Sequence, residues 1–113
     1  MLKKDLRLNK AGQYKFVFRA GRSCVTRYLA AYVVKQETTK IGFIASKKTG
    51  NAVRRNRAKR LMREAARRLL PRVKDNFHMI LIARKPIVKA SSDEVEQSVL
   101  YVLRKTGVRH ERQ

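Results

Sequence analysis

The sequence predicts an α+β fold, a sandwich in which helices cover one sheet in the order α-β-β-α-β-α. Runs rich in β-branched and aromatic residues alternate with segments whose apolar residues recur at helical spacing. A strand–helix–strand step in the middle of the chain could place two strands parallel in one sheet. The chain has 113 residues and no Gly/Ser-rich linker, so we expect residues 1–113 to form a single domain.

The first helix is predicted for residues 9–20. Asn9 can cap its N-terminus, and Gly21 follows as a stop. Three apolar side chains fall on one face of this helix at spacings of three and four residues, namely Tyr14, Val17 and Phe18.

Three segments have the composition of strands. Residues 24–34 and 41–46 are rich in β-branched, aromatic and other apolar types, and the polar stretch KQETTK between them favours a hairpin turn. Residues 77–83, FHMILIA, are almost continuously apolar. Such a run is typical of a strand that is covered on both faces, so we expect it to lie in the centre of the sheet.

The last helix has the clearest local signals. Ser91 and Glu94 have the spacing of a capping box, and acidic residues fill the first turn, where they complement the helix dipole. The helix is expected to end before Gly107. Its buried stripe is predicted to contain Val95, Val99, Val102 and Leu103.

Positive charge is concentrated in residues 47–72, which hold eleven lysines and arginines but a single acid, Glu64. The whole chain carries 29 Lys and Arg against 8 Asp and Glu, a formal net charge of +21. A helix is predicted from Asn51 or Ala52 to about Leu70, between Gly50 and Pro71. Its apolar side would contain Ala58, Leu61, Met62, Ala65 and Leu69, and its opposite side Asn56, Arg60, Arg63 and Arg67.

This segregated charge favours a polyanion, and most plausibly folded RNA, as the partner. With so few acids on the helix, hardly any ion pairs can form along it, which argues against an ordinary solvated face. Arginine can pair two phosphate oxygens or stack on a base, and the free N–H groups at the helix start favour an anion beside Lys47 and Lys48. Arg55 lies outside the charged side of the helix and projects towards the edge of the apolar side. A membrane surface is disfavoured because the apolar side is Ala-rich and has neither Trp nor Phe.

Proteins bind single-stranded RNA through aromatic side chains that lie beside positive charge, and this sequence has candidates for such rings. If residues 24–34 form one strand, Tyr28 and Tyr32 share a face and could make a stacking platform. For Tyr14, Phe18 and Tyr32 the residues alone leave core packing and base stacking equally open. Three other rings, those of Phe16, Phe43 and Phe77, are expected in the core.

Several classes of function are disfavoured by composition. The eight acids do not supply the converging carboxylates that a metal-dependent protein nuclease needs. Cys24 is the only cysteine, which excludes an intramolecular disulfide and a cysteine-based zinc site. No apolar run approaches the roughly 20 residues of a spanning helix, and the start MLKKDLRLNK lacks the apolar core of a secretory signal. We therefore expect a cytoplasmic protein without membrane contact.

The run SKKTGNAVRRNRAKRLMRE closely resembles the signature of the bacterial ribonuclease P protein component, including its Arg-Asn-Arg core at residues 55–57. The stretches YKFVFRAG, TRYLAAYVV and FHMILIARKP stand in the order and spacing of that family. The resemblance implies an α–β sandwich with an unusual left-handed strand–helix–strand crossover. It also implies a non-catalytic subunit that assists a catalytic RNA in removing the 5′ leader from precursor tRNA.

The resemblance further implies which residues meet RNA. Tyr14, Phe18 and Tyr32 would line a cleft that receives the single-stranded leader. Magnesium would be held mainly by the RNA subunit, and we expect no obligate protein partner. The residues that would face the RNA subunit and the substrate are Lys47, Lys48, Asn51, Arg54, Arg55, Asn56, Arg57, Lys59, Arg60 and Arg63.

Two other functions remain as alternatives. A general RNA-binding or ribosome-associated basic protein would share the charge but would not require an aromatic cleft beside the Arg-Asn-Arg helix. A protein-only nuclease would require acids that the sequence lacks.

Overall fold

A four-stranded mixed sheet separates the helices into two layers. The computed structural model describes residues 4–109. The strands are β1 (Arg22–Val25), β2 (Leu29–Lys35), β3 (Lys40–Ile44) and β4 (Phe77–Ala83), and the helices are α1 (Ala11–Ala20), α2 (Ala52–Leu69) and α3 (Ser92–Lys105). The predicted α+β class is confirmed. The prediction that residues 1–113 form one domain extends beyond the described residues and stays a prediction.

The strands lie in the order β1-β2-β4-β3. β4 pairs antiparallel with β2 and parallel with β3, so the predicted parallel step around α2 and the central position of β4 are both confirmed. The predicted hairpin between β2 and β3 is wrong, because β4 lies between them. The hand of the β3-α2-β4 crossover stays a prediction.

Residues 24–34, which were predicted as one strand, belong to two antiparallel strands joined by a tight turn. Thr26 forms this turn: its Oγ1 accepts from the N–H groups of Tyr28 and Leu29 at 3.3 and 3.2 Å. Because the turn interrupts the alternation, Tyr28 packs against the core beneath α3 whereas Tyr32 packs against the core beneath α1. The predicted shared face of these tyrosines is therefore wrong.

Each face of the sheet carries its own apolar core. The larger core lies between the sheet and helices α2 and α3, and it contains Met79 and Leu81 of β4. The smaller core lies under α1 and contains Leu8, Val17 and Ile80. Successive β4 residues alternate between the two cores, which explains why this strand is almost entirely apolar.

The ends of the helices follow mostly from local hydrogen bonds. The α3 capping box is confirmed, since Ser91 Oγ accepts from the Glu94 N–H and the Glu94 carboxylate accepts from the Ser91 N–H. Asn9 was predicted to cap α1, but the N-cap is Lys10, because Gln13 Oε1 accepts from the N–H groups of both residues. Gly21 ends α1 as predicted, and its N–H donates to the Val17 carbonyl at 2.8 Å.

Val108 and Arg109, which follow α3, are anchored to the fold. Val108 is buried in the larger core. Arg109 donates from its backbone N–H and its Nε to the Asp75 carboxylate at 2.8 and 2.9 Å. These bonds hold the pKa of Asp75 at about 2, well below its ordinary value. The Asp75–Arg109 pair therefore fastens the segment just after α3 to the turn before β4.

Candidate nucleic-acid interface

The turn before α2 brings two lysines to the start of the basic helix. Ser46 Oγ accepts from the Lys48 N–H at 3.3 Å, and the N–H of Gly50, whose φ is 140°, donates to the Lys47 carbonyl. Asn51 then caps α2, with its Oδ1 accepting from the Arg54 N–H at 3.0 Å. The side chains of both lysines are exposed. The structure thus places Lys47 and Lys48 beside the positive end of the helix dipole, as predicted.

The two sides of α2 are segregated much as predicted. The side that faces the sheet and α3 buries Ala58, Met62, Ala65, Ala66 and Leu69, while Leu61 is half-buried. Of the RNA-facing residues predicted on this helix, Arg54, Asn56, Arg57 and Arg60 are exposed and Arg55, Lys59 and Arg63 are half-buried. The half-buried position of Arg55 agrees with its predicted place at the edge of the apolar side.

The guanidinium group of Arg57 is partly engaged within the protein. Its Nε donates to the Val88 carbonyl at 3.4 Å and its Nη2 to the Ala90 carbonyl at 3.3 Å. These bonds link α2 to the segment that leads into α3. Arg57 therefore has a structural role in addition to the RNA contact predicted from the motif.

A cleft between α1 and α2, at the β3 edge of the sheet, brings one of the predicted aromatic residues beside two of the predicted basic residues. Its volume is about 270 Å³. Tyr14 of α1 lies on one side, and Lys59 and Arg63 of α2 lie on the other. We call this the basic cleft, and its lining residues are Arg7, Leu8, Tyr14, Ile41, Gly42, Phe43, Lys59 and Arg63.

Contacts within the basic cleft hold its ring and its cations in place. The Tyr14 hydroxyl donates to the Leu8 carbonyl at 3.3 Å, and burial raises the pKa of this hydroxyl above its ordinary value. The Arg63 guanidinium lies 5.9 Å from the centroid of the Phe43 ring, within the range of a cation–π contact. A cation and an aromatic ring are thus presented side by side, which suits a nucleotide with its phosphate and base.

The other two predicted leader-binding rings, Phe18 and Tyr32, lie on the α1 side of the sheet but do not line the basic cleft. Phe18 and Tyr32 contact each other edge to face, with ring centroids 5.0 Å apart and planes at 73°. Phe18 is 40% exposed, while Tyr32 is half-buried against the smaller core. Phe16 was expected in the core, but it is 44% exposed, because α1 rests on the sheet mainly through Val17.

Sequence reasoning missed five of the eight residues that line the basic cleft, namely Arg7, Leu8, Ile41, Gly42 and Phe43. Arg7 reaches the site because it bridges to Ile41 on the β3 edge. No local sequence pattern marks these positions, since they meet only after β3 has joined the sheet beside β4.

A second and larger groove lies beside β1 and α3 and has the opposite electrostatic character. Its volume is about 570 Å³, and we call it the acidic groove. Its lining includes Asp93 and Glu94 but neither Lys nor Arg, and the Tyr28 hydroxyl donates to the Glu94 carboxylate at 2.6 Å. Because these carboxylates would repel phosphate, the larger groove is a poor site for RNA. Its lining residues are Val25, Thr26, Tyr28, Asp93, Glu94, Gln97, Ser98 and Tyr101.

Residues 4–109 contain neither a side-chain cluster suited to a metal ion nor a helix suited to crossing a membrane. No three His, Cys, Asp or Glu side chains in this part of the chain are grouped so that they could hold a metal ion. None of its helices combines the length and the apolar character that crossing a bilayer requires.

Comparison with known proteins connects this geometry to one family. The family model described as Ribonuclease P matches residues 2–107. The chain is 44% identical over 109 residues to the ribonuclease P protein component of an Exiguobacterium species, covering 95% of each protein. It is 37% identical over 110 residues to the corresponding protein of Symbiobacterium thermophilum, covering 95% of this chain and 96% of that protein.

Solved structures show the same similarity in three dimensions. The RNase P protein from Staphylococcus aureus superposes with a TM-score of 0.80 at 28% identity, covering 100% of this chain and 98% of that one. The RNase P protein from Thermotoga maritima gives a TM-score of 0.76 at 26% identity, covering 88% of this chain and 96% of that one. With its sequence matched over residues 2–107 and its fold shared, this chain belongs to the ribonuclease P protein family.

Proposed function

We propose that this protein binds the catalytic RNA of ribonuclease P through α2 and receives the 5′ leader of precursor tRNA in the basic cleft. Membership of the family supports a role in tRNA processing. The observation that carries the finer assignment is the meeting of Tyr14 with Lys59 and Arg63 in one cleft. There, the ring offers a stacking plane for a leader base and the cations offer partners for the adjoining phosphates.

The second contribution of the protein is electrostatic. Two RNA molecules repel each other, and a chain with a net charge of +21 reduces that repulsion where the substrate and the RNA subunit approach. The exposed Arg54, Asn56 and Arg60, together with Lys47 and Lys48, would face RNA outside the cleft. Each phosphate contact releases condensed counterions, so the binding should weaken steeply with added salt.

The protein's part in the reaction is to position and bind, and the bond-breaking chemistry belongs to the RNA. We propose that magnesium ions are held mainly by the RNA subunit, where they would activate water and stabilise the leaving oxygen. The carboxylates of residues 4–109 are dispersed or engaged, as with Asp75 bonded to Arg109 and Glu94 bonded to Tyr28. No reaction step is therefore assigned to a protein side chain. We also propose that the protein works in the cytoplasm.

Reconstitution tests this proposal directly. The purified chain is mixed with its cognate RNA subunit at low magnesium, and trimming of 5′-labelled precursor tRNA is followed. Trimming that requires both components supports the proposal, whereas trimming by the protein alone would indicate a protein nuclease. RNA binding without stimulation of trimming would indicate a general RNA-binding protein.

Leader recognition needs a separate measurement. Affinities of the reconstituted enzyme are compared for precursor tRNA and mature tRNA. The variants are Arg63→Ala in the basic cleft, and Phe18→Ala and Tyr32→Ala in the ring pair on the α1 side of the sheet. We expect each variant to lose more affinity for precursor than for mature tRNA, because only the precursor carries a leader. Arg27→Ala removes the same charge as Arg63→Ala at the opposite edge of the sheet and serves as the control. Equal losses for both RNAs would contradict a leader-binding cleft.

A further inference from the structure

Gly42 lies buried beneath the ring of Tyr14 in the basic cleft. It belongs to β3 and is paired in register with Ile80 of β4. The described glycines with positive φ are Gly50 and Gly107, so the backbone of Gly42 has a conformation open to any residue. The absence of a side chain at this position therefore needs an explanation other than backbone geometry.

The explanation lies in the space above Gly42. A Cβ atom added there would lie 2.5 Å from Oη, 2.7 Å from Cε1 and 2.8 Å from Cζ of Tyr14. Its three nearest neighbours all belong to this one side chain. Such distances are shorter than real Cβ contacts, so even alanine would force the ring to move. The hydrogen bond from the Tyr14 hydroxyl to the Leu8 carbonyl would then lengthen or break.

The ring's position matters because of what shares the cleft. Lys59 and Arg63 line the same cavity from α2, while Tyr14 reaches it from α1. A base stacked on the ring and a phosphate on the cations belong to neighbouring parts of one strand, so the distance between ring and cations must fit a nucleotide. Raising the ring off β3 would change that distance.

We propose that Gly42 is a positioning residue for leader binding, whose missing side chain sets the depth at which the Tyr14 ring lies beside Lys59 and Arg63. This inference rests on the proposed function, because it assumes that the basic cleft receives the leader. Gly42 itself need not touch RNA, since it acts through the ring.

A double-mutant cycle in the reconstituted holoenzyme tests this inference. Tyr14→Ala, Gly42→Ala and the double variant are compared with the unaltered protein for affinity to precursor tRNA and to mature tRNA. Tyr14→Ala should weaken precursor binding about 5- to 150-fold, the range expected for one lost base–aromatic stack. Gly42→Ala should produce a loss of the same kind, and the double variant should be no weaker than Tyr14→Ala alone. Mature tRNA should bind all variants about equally.

Gly12→Ala is the matched control, since it adds the same methyl group to a glycine of α1 that has nothing within 4 Å of the new atom. It should leave precursor binding unchanged. If Gly42→Ala fails to fold, restoring the fold by adding Tyr14→Ala would still support the ring as the obstacle, while a double variant that also fails to fold would overturn the inference.

The outcomes separate the inference from the proposed function. Losses that multiply in the double variant, or a Gly42→Ala variant that binds precursor normally, would overturn the role of Gly42 and leave the cleft intact. A Tyr14→Ala variant with unchanged precursor selectivity would instead remove the assignment of Tyr14 to the leader, and the inference would fall with it.

Discussion

Arg57 and Arg60 stand three residues apart on α2, yet their replacement by alanine should have different consequences. Arg60 is exposed on the charged side of the helix. Arg57 donates to the carbonyl groups of Val88 and Ala90, so part of its contribution is to the stability of the protein. The sequence motif predicts RNA contacts for both residues, whereas the structure gives only Arg57 hydrogen bonds within the protein.

The expected magnitudes follow from these contacts. Arg60→Ala should reduce the slope of log K against log salt by about 0.7 to 0.9, the value for one lost phosphate contact. The factor by which Arg60→Ala binds RNA more weakly than the unaltered protein should therefore become about threefold smaller between about 50 mM and about 200 mM salt. Arg57→Ala should lose two long hydrogen bonds, at 3.4 and 3.3 Å, or about 1 kcal/mol of unfolding free energy. That loss corresponds to a melting temperature lower by about 4 °C.

Two assays measure these effects separately. Filter binding to the RNA subunit over a series of salt concentrations gives the slopes, and thermal unfolding of the free protein gives the stabilities. Arg27→Ala serves as the charge-matched control and should change the RNA slope less than Arg60→Ala. The reasoning is refuted if Arg57→Ala melts at the same temperature as the unaltered protein, or if Arg60→Ala leaves the slope unchanged.

Three further predictions concern stability. Met62→Ala should lower the unfolding free energy by about 2 to 5 kcal/mol in urea titrations, because Met62 is fully buried against the sheet; a loss below about 1 kcal/mol would contradict this packing. Gly12→Ala should raise the unfolding free energy by about 0.5 to 1 kcal/mol, because alanine restricts the unfolded chain and its methyl group meets nothing beyond the adjoining backbone of α1; a decrease would contradict the open space at this position. The pKa of Asp75 is lowered to about 2 by its bonds to Arg109, so its stabilising contribution is fully present above the ordinary value of 3.8 and is lost as pH falls towards 2. Asp75→Asn should flatten the acid side of the pH–stability curve, and an unchanged curve would contradict the Asp75–Arg109 pair.

Local features of the fold could be predicted from the sequence, because the atoms that cause them are close along the chain. The capping box of Ser91 and Glu94 and the segregated sides of α2 needed only residues within a few turns. The turn at Thr26 was missed because its hydrogen bonds replace strand pairing within an apolar run that otherwise has strand composition. The insertion of β4 between β2 and β3 was missed because strand order depends on partners far apart in sequence.

The candidate site also has parts that could be predicted from the sequence and parts that could not. The basic residues of α2 could be identified from charge and periodicity, and Tyr14, Phe18 and Tyr32 from the family resemblance. The meeting of Tyr14 with Arg63 across the β3 edge depends on tertiary packing. So does the position of the Tyr14 ring, which occupies the space where a side chain of residue 42 would lie. Neither leaves a pattern in the sequence. The structural role of Arg57 was hidden for the same reason, since its carbonyl partners lie about thirty residues away.

Site-specific photo-crosslinking tests the central claim most directly. A benzophenone side chain replaces Tyr14 in the basic cleft or, in a second variant, Tyr101 in the acidic groove, and each reconstituted holoenzyme is irradiated with precursor tRNA labelled in its leader. We predict crosslinks from position 14 to the labelled leader and none from position 101. Leader crosslinks from position 101 together with none from position 14 would contradict the account.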